Sequence, residues 1–185
     1  GKTDGQLFPA EVCEIFRESE IAAMRQRQGV EREEALPLRD GPRHFLAVRF
    51  PLLDDDGAIT GLCFQATDIT ARKQAEDSLR LAAMVFERAS EGVMVTDTEQ
   101  RILTVNDAFT ALTGYTREEV VGQSPSLLRS HLTSPELYRD MWERINRLGV
   151  WQGEIWNRRK NGELFLEWLS INTVKDASGE VINYV

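Results

Sequence analysis

Residues 162–185 read GELFLEWLSINTVKDASGEVINYV, and residues 41–70 read GPRHFLAVRFPLLDDDGAITGLCFQATDIT. Both stretches run from a Gly through an alternating apolar strand to an acidic turn that closes on Gly, then into a second apolar strand. Gly41 and Gly162 lie 121 residues apart and Gly57 and Gly179 lie 122 apart. One offset serves both anchors, as two copies of a single module require. Alternation with period two on either side of each turn predicts an antiparallel meander in each copy. On this reading the first copy lacks its front, and the second lacks its last few residues.

Working outward, residues 1–8 read as a loop, and Pro9 starts a helix that ends near Gly29, with Val12, Ile15, Phe16, Ile21 and Met24 near a helical period. A strand over Leu36 to Leu38, a hairpin turn at Arg39-Asp40-Gly41-Pro42, and strands over Phe45 to Leu53 and Ile59 to Ala66 complete the first copy. Asp68-Ile69-Thr70 opens a helix reaching about residue 90, with Asp68 or Thr70 capping its first turn. Ala71, Ala75, Leu79, Ala82, Phe86 and Ala89 step by three or four along it, a narrow apolar stripe suited to pairing with a twin helix in a parallel dimer.

The second copy is nearly whole. Val93 to Thr96 and Ile102 to Val105 read as short strands around the turn Asp97-Thr98-Glu99-Gln100. Asn106 to Thr113 reads as a short helix stopped by Gly114, and Thr116 with Glu119 has the spacing of a capping box. Residues 122–133 are irregular, and Pro135 starts a helix ending near Gly149 with Leu137, Tyr138, Met141, Trp142 and Ile145 on one face. Strands follow over Trp151 to Arg159, Leu164 to Val174 and Val181 to Val185, the first two joined by the hairpin signal Asn161-Gly162.

The chain has 185 residues, 42% hydrophobic and 28% charged, as expected of a globular protein of one or two domains. A net charge of −8 and a sequence pI near 4.9 argue against non-specific binding of nucleic acid or of anionic membranes. No apolar run approaches the roughly 18 residues of a membrane span. Cys13 and Cys63 stand without CxxC or His/Cys spacing and read as reduced thiols of a cytoplasmic protein.

The stretches EGVMVTD, RILTVNDAFTALTGYTREEVVGQ and WQGEIWNRRKNGELFLEWLSINTVKDASGEVINYV, with the exit tripeptide Asp68-Ile69-Thr70, resemble the PAS family of sensor domains. The resemblance implies an α+β fold: a five-stranded antiparallel sheet with helices on one face, present as one partial and one nearly complete copy joined by a helix. It divides the chain into the C-terminal part of one PAS domain over 1–67, a signalling helix over 68–90 and a second PAS domain over 91–185. The segment WQGEIWNRRKNG followed by EWLSI looks like PAS domains upstream of cyclic-di-GMP cyclases and phosphodiesterases, with those upstream of histidine kinases next. That implies a cytoplasmic bacterial sensor region, not itself an enzyme. It would dimerise through the linker helix and pass ligand or redox state to an output domain in the same chain. The alternative is a ligand-free module that dimerises or docks a protein through its sheet.

In this family the concave face of the sheet holds a flavin, a haem, a metabolite or only side chains. Carried over residue by residue, the pocket of the second copy comprises Asn106, Phe109, Leu112, Trp142, Ile145, Asn157 and Trp168, while Asp68 and Thr70 couple sheet to helix in the first. Haem needs an axial donor, usually His, and His44 and His131 both read as solvated. A photoreactive flavin adduct needs a Cys, which the second copy lacks. A redox flavin, FAD, is admitted by Trp142 and Asn157-Arg158-Arg159-Lys160, which match the flavin-binding PAS domain of nitrogen-fixation sensors, although SPSLL around Pro125 lacks that domain's pocket Glu. Trp156 and Trp168 face the same or opposite sides of the sheet according to the hairpin register. Glu34-Ala35-Leu36 lacks the metal carboxylates of a phosphodiesterase, and Asp54-Asp55-Asp56-Gly57 lacks the bidentate Glu of a calcium loop. No metal site is expected.

Overall fold

The computed structural model describes residues 4–38 and 40–185. The reading of residues 1–3 as loop, and the part of Arg39 in the first hairpin turn, lie outside them; the rest of the loop read over 1–8 is corrected by a short helix at Asp4–Leu7. The chain divides into two compact units at Arg80/Leu81, within one helix. In order come α1 (Asp4–Leu7), α2 (Ala10–Gln26), β1 (Val30–Leu38), β2 (Gly41–Leu53), β3 (Ile59–Asp68) and α3 (Thr70–Arg88). There follow β4 (Met94–Thr96), β5 (Ile102–Val105), α4 (Asp107–Thr113), α5 (Arg117–Val120), a 3₁₀ turn at Pro125–Leu128, α6 (Pro135–Leu148), β6 (Val150–Arg158), β7 (Leu164–Lys175) and β8 (Val181–Tyr184).

The first unit is a three-stranded antiparallel sheet, β1-β2-β3, with α2 on one face. Its β1 runs from Val30, well before the expected start at Leu36. The reason is its position. As an edge strand it carries Glu31, Arg32, Glu33 and Pro37, which blunt an unpaired edge and erase apolar alternation. The buried face of α2 also differs from expectation: Val12, Phe16, Ser19 and Ala23 lie against the sheet, while Ile21 and Met24 are exposed. The row selected is i, i+4, i+7, i+11. It places Ser19 over a buried ion pair, in which Glu34 accepts from Ser19 Oγ (2.7 Å) and from Arg49 Nη1 and Nη2 (2.5 and 3.0 Å). The Arg49 guanidinium also lies 5.3 Å from the Phe16 ring and 4.8 Å from the Phe64 ring.

The second unit holds a five-stranded antiparallel sheet of order β5-β4-β8-β7-β6. Its apolar interior forms two clusters. One gathers Ile102, Val105, Phe109, Val120 and Leu128; the other gathers Met141, Ile145 and Trp151 under α6. Full burial of each such side chain contributes about 1.5–3 kcal/mol.

The acidic turns that revealed the repeat share one device. Asp54 Oδ1 accepts the N–H groups of Asp56 and Ala58, and Asp176 Oδ1 those of Ser178 and Glu180. Asp97 Oδ1 does the same for Glu99 and Arg101 in the turn between β4 and β5. The third residue on takes positive φ in each: Gly57 (79°), Gly179 (88°) and Gln100 (61°). Asp holds the backbone in all three turns, and Gly, which tolerates the left-handed region, fills the third position in two of them while Gln100 adopts it in the other.

One strand glycine makes a measurable demand. Trp151 is buried, and a Cβ added at Gly153 would sit 2.7 Å from its Cζ2 and 2.9 Å from its Cη2. The indole lies across Gly153 because residues two apart on a strand share a face. Gly153→Ala is expected to displace the ring from Met141 and Ile145 and to cost about 1–3 kcal/mol. Urea unfolding of the variant followed by tryptophan emission measures it, and an unchanged midpoint would contradict this packing.

Candidate functional site

The register of β6 against β7 decides which residues enter the interior of the second unit. Trp151 pairs with Ile171, Gly153 with Leu169, Ile155 with Glu167 and Asn157 with Phe165. These share the face covered by α6, whose Leu137, Tyr138, Met141, Trp142 and Ile145 pack with Trp151, Leu169 and Ile171. Trp142 also meets Tyr184 edge to face, with ring centroids 5.4 Å apart. The opposite face carries Glu154, Trp156, Leu166 and Trp168, since Glu154 pairs with Trp168 and Trp156 with Leu166.

Polar groups concentrate at the hairpin end of this interior. Asn157 is buried and donates Nδ2 to Glu167 Oε1 at 2.7 Å. Among the described residues no Lys or Arg forms an ion pair with Glu167. Desolvation pushes the Glu167 carboxyl above the ordinary carboxylate range, opposed by the Asn157 hydrogen bond and by Arg159. The Tyr138 hydroxyl is buried, and burial raises its pKa against the pull of the nearby Arg129 and of the Thr133 side chain. Arg129 lies 4.3 Å over the Tyr138 ring and Arg159 4.4 Å over the Phe165 ring. Thr133 donates to the Trp156 carbonyl (2.8 Å) and accepts its N–H (3.0 Å), tying the loop before α6 to β6.

The structure brings together some of the expected pocket residues and separates others. Phe109 and Ile145 are buried, one in each cluster, and Trp142 and Asn157 line the α6 side. Leu112 is half-buried and borders a surface cleft of about 620 Å³ between the end of α4 and the β6–β7 hairpin. Trp168 is 68% exposed on the outer face and does not enter the interior, a correction that follows from the register. Asn106 is fully buried, but its amide faces the chain and not a ligand. Nδ2 donates to the carbonyls of Phe86 (3.1 Å) and Glu91 (2.9 Å), while Oδ1 accepts from Val93 N–H (2.8 Å) and Phe109 N–H (3.0 Å). All its usual hydrogen-bonding capacity is used.

Asp68 and Thr70 stand where sheet becomes helix. Asp68 Oδ1 accepts from Thr70 N–H at 2.9 Å, and the Thr70 hydroxyl accepts from His44 N–H at 3.0 Å, while Ile69 N–H donates to the His44 carbonyl at 2.8 Å. The Thr70 hydrogen bonds, with the Arg43 charge, hold the Asp68 carboxyl below its usual range. Glu33 of β1 adds ion pairs to Arg72 (2.9 Å) and Lys73 (2.5 Å) in the first turn of α3. At the other end Arg117 joins Glu87 of α3 (2.5 Å) to the Val105 carbonyl (2.9 Å). Sequence reasoning missed Glu87, Arg117, Tyr138 and Glu167. Only Glu167 left a signal, by standing diagonal to Asn157 across the Asn161-Gly162 turn.

The sequence profile of the PAS domain matches residues 90–185 and that of the PAS fold matches residues 1–74, and the chain belongs to the PAS domain family. It is a sensory signalling module of that type. The nitrogen fixation regulatory protein of Klebsiella oxytoca is 34% identical over 101 residues, covering 55% of this chain and 20% of that protein. The blue-light-activated histidine kinase of Rhizobium johnstonii is 30% identical over 118 residues, covering 62% and 34% respectively. The chain thus spans a fifth to a third of these relatives. The PAS domain of a protein from Colwellia psychrerythraea superposes with a TM-score of 0.55 at 21% identity over 58% of this chain and 92% of that one, a likeness of fold. Among the described residues no helix is long and apolar enough to cross a membrane, and no cluster of His, Cys, Asp or Glu is arranged to hold a metal.

Proposed function

We propose that this chain is the sensory and dimerising region of a bacterial, cytoplasmic signal-transduction protein. A small ligand or redox cofactor in the second unit biases its α4–α5 and α6 elements. The bias reaches paired α3 helices and an output domain of the full protein that turns over cyclic-di-GMP or, second, is a histidine kinase. The observation that supports this reading is α3 itself. Each unit bonds its own end of the helix, yet none of its residues is buried: Leu79 of the stripe is 71% exposed, and Leu81, Met84 and Val85 stand open on the opposite side of the helix. An apolar helix face needs a partner. On this reading the chain divides into a partial PAS domain (1–67), a signalling helix (68–90) and a PAS domain lacking the end of its last strand (91–185). A flavin edge is one chemistry that Asn157 and Trp142 would hold, Asn157 through its Oδ1 and Trp142 as a wall.

Sedimentation equilibrium tests the pairing. The chain is expected to be a dimer, and Leu79→Glu to weaken it tenfold or more, because each buried Leu contributes about 1.5–3 kcal/mol and about 1.4 kcal/mol is a factor of ten. A monomer insensitive to Leu79→Glu counts against the reading. The exposed Trp156, Leu166 and Trp168 favour the second reading, a module that docks a protein on its sheet; under it Trp168→Ser, and not Leu79→Glu, would change association.

A further inference from the structure

The side of α3 turned away from the stripe carries an apolar patch with a charge at each end. At about 100° per residue, Asp77, Leu81, Met84 and Arg88 follow the spacing i, i+4, i+7, i+11 and fall on one line of the helix. Val85 flanks that line. Leu81, Met84 and Val85 are each more than half exposed, and Asp77 and Arg88 are exposed with them. The charges of this line also differ from their neighbours. Arg72, Lys73, Glu76 and Glu87 of the same helix are all engaged in ion pairs. Among the described residues Asp77, Arg80 and Arg88 form none, and of these three Asp77 and Arg88 lie on the line.

The order along the line selects the occupant, because it runs acidic, apolar, apolar, basic. In a parallel pair in register, Asp77 would meet a second Asp77 and Arg88 a second Arg88, setting like charges at both ends of the seam. In an antiparallel pair, with its two-fold axis between residues 82 and 83, Asp77 meets Arg88 at both ends and Leu81 meets Met84 twice between them. The line is therefore complementary to its own reverse. A second copy of this chain supplies that pattern without further requirement. We infer that α3 pairs antiparallel with the α3 of a second copy through Asp77, Leu81, Met84 and Arg88. This contact goes beyond the pairing of the stripe and does not rest on it, since the two faces lie on opposite sides of the helix.

Sedimentation equilibrium of the full chain at low salt tests it. Met84→Glu, with unchanged thermal unfolding, is expected to weaken association about tenfold or more. Asp77→Arg and Arg88→Asp each set like charges together at both ends and should weaken it several-fold. The double variant exchanges the charges and should recover association to within about twofold of the parent. Disulfide trapping reads the direction. In a Cys13→Ser, Cys63→Ser background, chains with Asp77→Cys are mixed with chains with Arg88→Cys and oxidised. The antiparallel seam yields the mixed 77–88 disulfide and keeps the ion pair at the other end. Like positions are then about 16 Å apart, too far to bridge. Disulfides between like positions alone, association indifferent to Met84→Glu, or a charge exchange without recovery overturns the inference. Leu79→Glu separates this contact from the stripe. Association lost in Leu79→Glu and kept in Met84→Glu overturns the inference and leaves the stripe pairing standing. The reverse result upholds the inference and counts against the stripe, and a chain that stays monomeric overturns both.

Discussion

Arg49→Met is expected to destabilise the first unit by about 3–5 kcal/mol, the usual cost of removing one partner from a buried ion pair. Arg49 and Glu34 are 3% and 5% exposed and bonded through both terminal guanidinium nitrogens. The variant leaves a charged Glu34 with only Ser19 Oγ beside it, inside a unit whose core is small. It also removes a cation lying against two aromatic rings. The Trp/Cys distribution supplies unit-specific probes. All four Trp lie beyond residue 140, in the second unit, and both Cys, at 13 and 63, lie in the first. Denaturant-dependent thiol labelling should shift to markedly lower denaturant while the tryptophan transition stays in place. A shift under about 1 kcal/mol would show that the pair is not holding this unit together. Adding Glu34→Leu should recover most of the loss, because the damage comes from an uncompensated charge and not from lost attraction.

That ion pair marks the boundary of what the sequence discloses. Periodicity and turn chemistry are local, so β5, α4, α6 and the β6–β8 meander were legible from alternation, Pro135, Gly114, Gly149 and Asn161-Gly162. Glu34 and Arg49 meet across 15 residues and two strands, with Ser19 arriving from a helix. Nothing in the spacing of these three announces the contact; Glu34 read as part of a meaningless tripeptide. The edge strand β1 hid for a related reason, since its charges serve its exposed edge and mask its pairing. In the candidate site, Asn157 and Trp142 were legible as motif residues and Trp168 was misplaced. A strand Trp is apolar enough for either face, and only the register with Glu154 puts it outside. Asn106 was legible as the start of α4, though expected to face a ligand. Its bonds to the Phe86 carbonyl of α3 and to the Glu91 carbonyl just beyond that helix were not, because they depend on how the chain leaving α3 passes β5.

Those two bonds make Asn106 the second large expected effect. Asn106→Ala strips partners from the N–H groups of Val93 and Phe109 and from the carbonyls of Phe86 and Glu91, all at a fully buried position. Each buried backbone group left unpaired costs about 1–3 kcal/mol, and local relaxation recovers part of the sum. A loss of about 3–5 kcal/mol in the second unit is expected, read by urea unfolding with tryptophan emission. Asn106→Asp separates the two halves of the joint. A carboxylate still accepts from Val93 and Phe109 and remains a good cap for α4. It has no hydrogen for the Phe86 and Glu91 carbonyls and sets negative charge against them. Hydrogen exchange should therefore find the Phe109 amide protected in Asp and exposed in Ala, while amides in the last turn of α3 exchange at least tenfold faster in both. Equal protection of that turn in the parent and in Asn106→Asp would mean that Arg117–Glu87 alone anchors the helix. A relay from α4 into α3 would then have to run through that ion pair, which is half exposed and screened by salt.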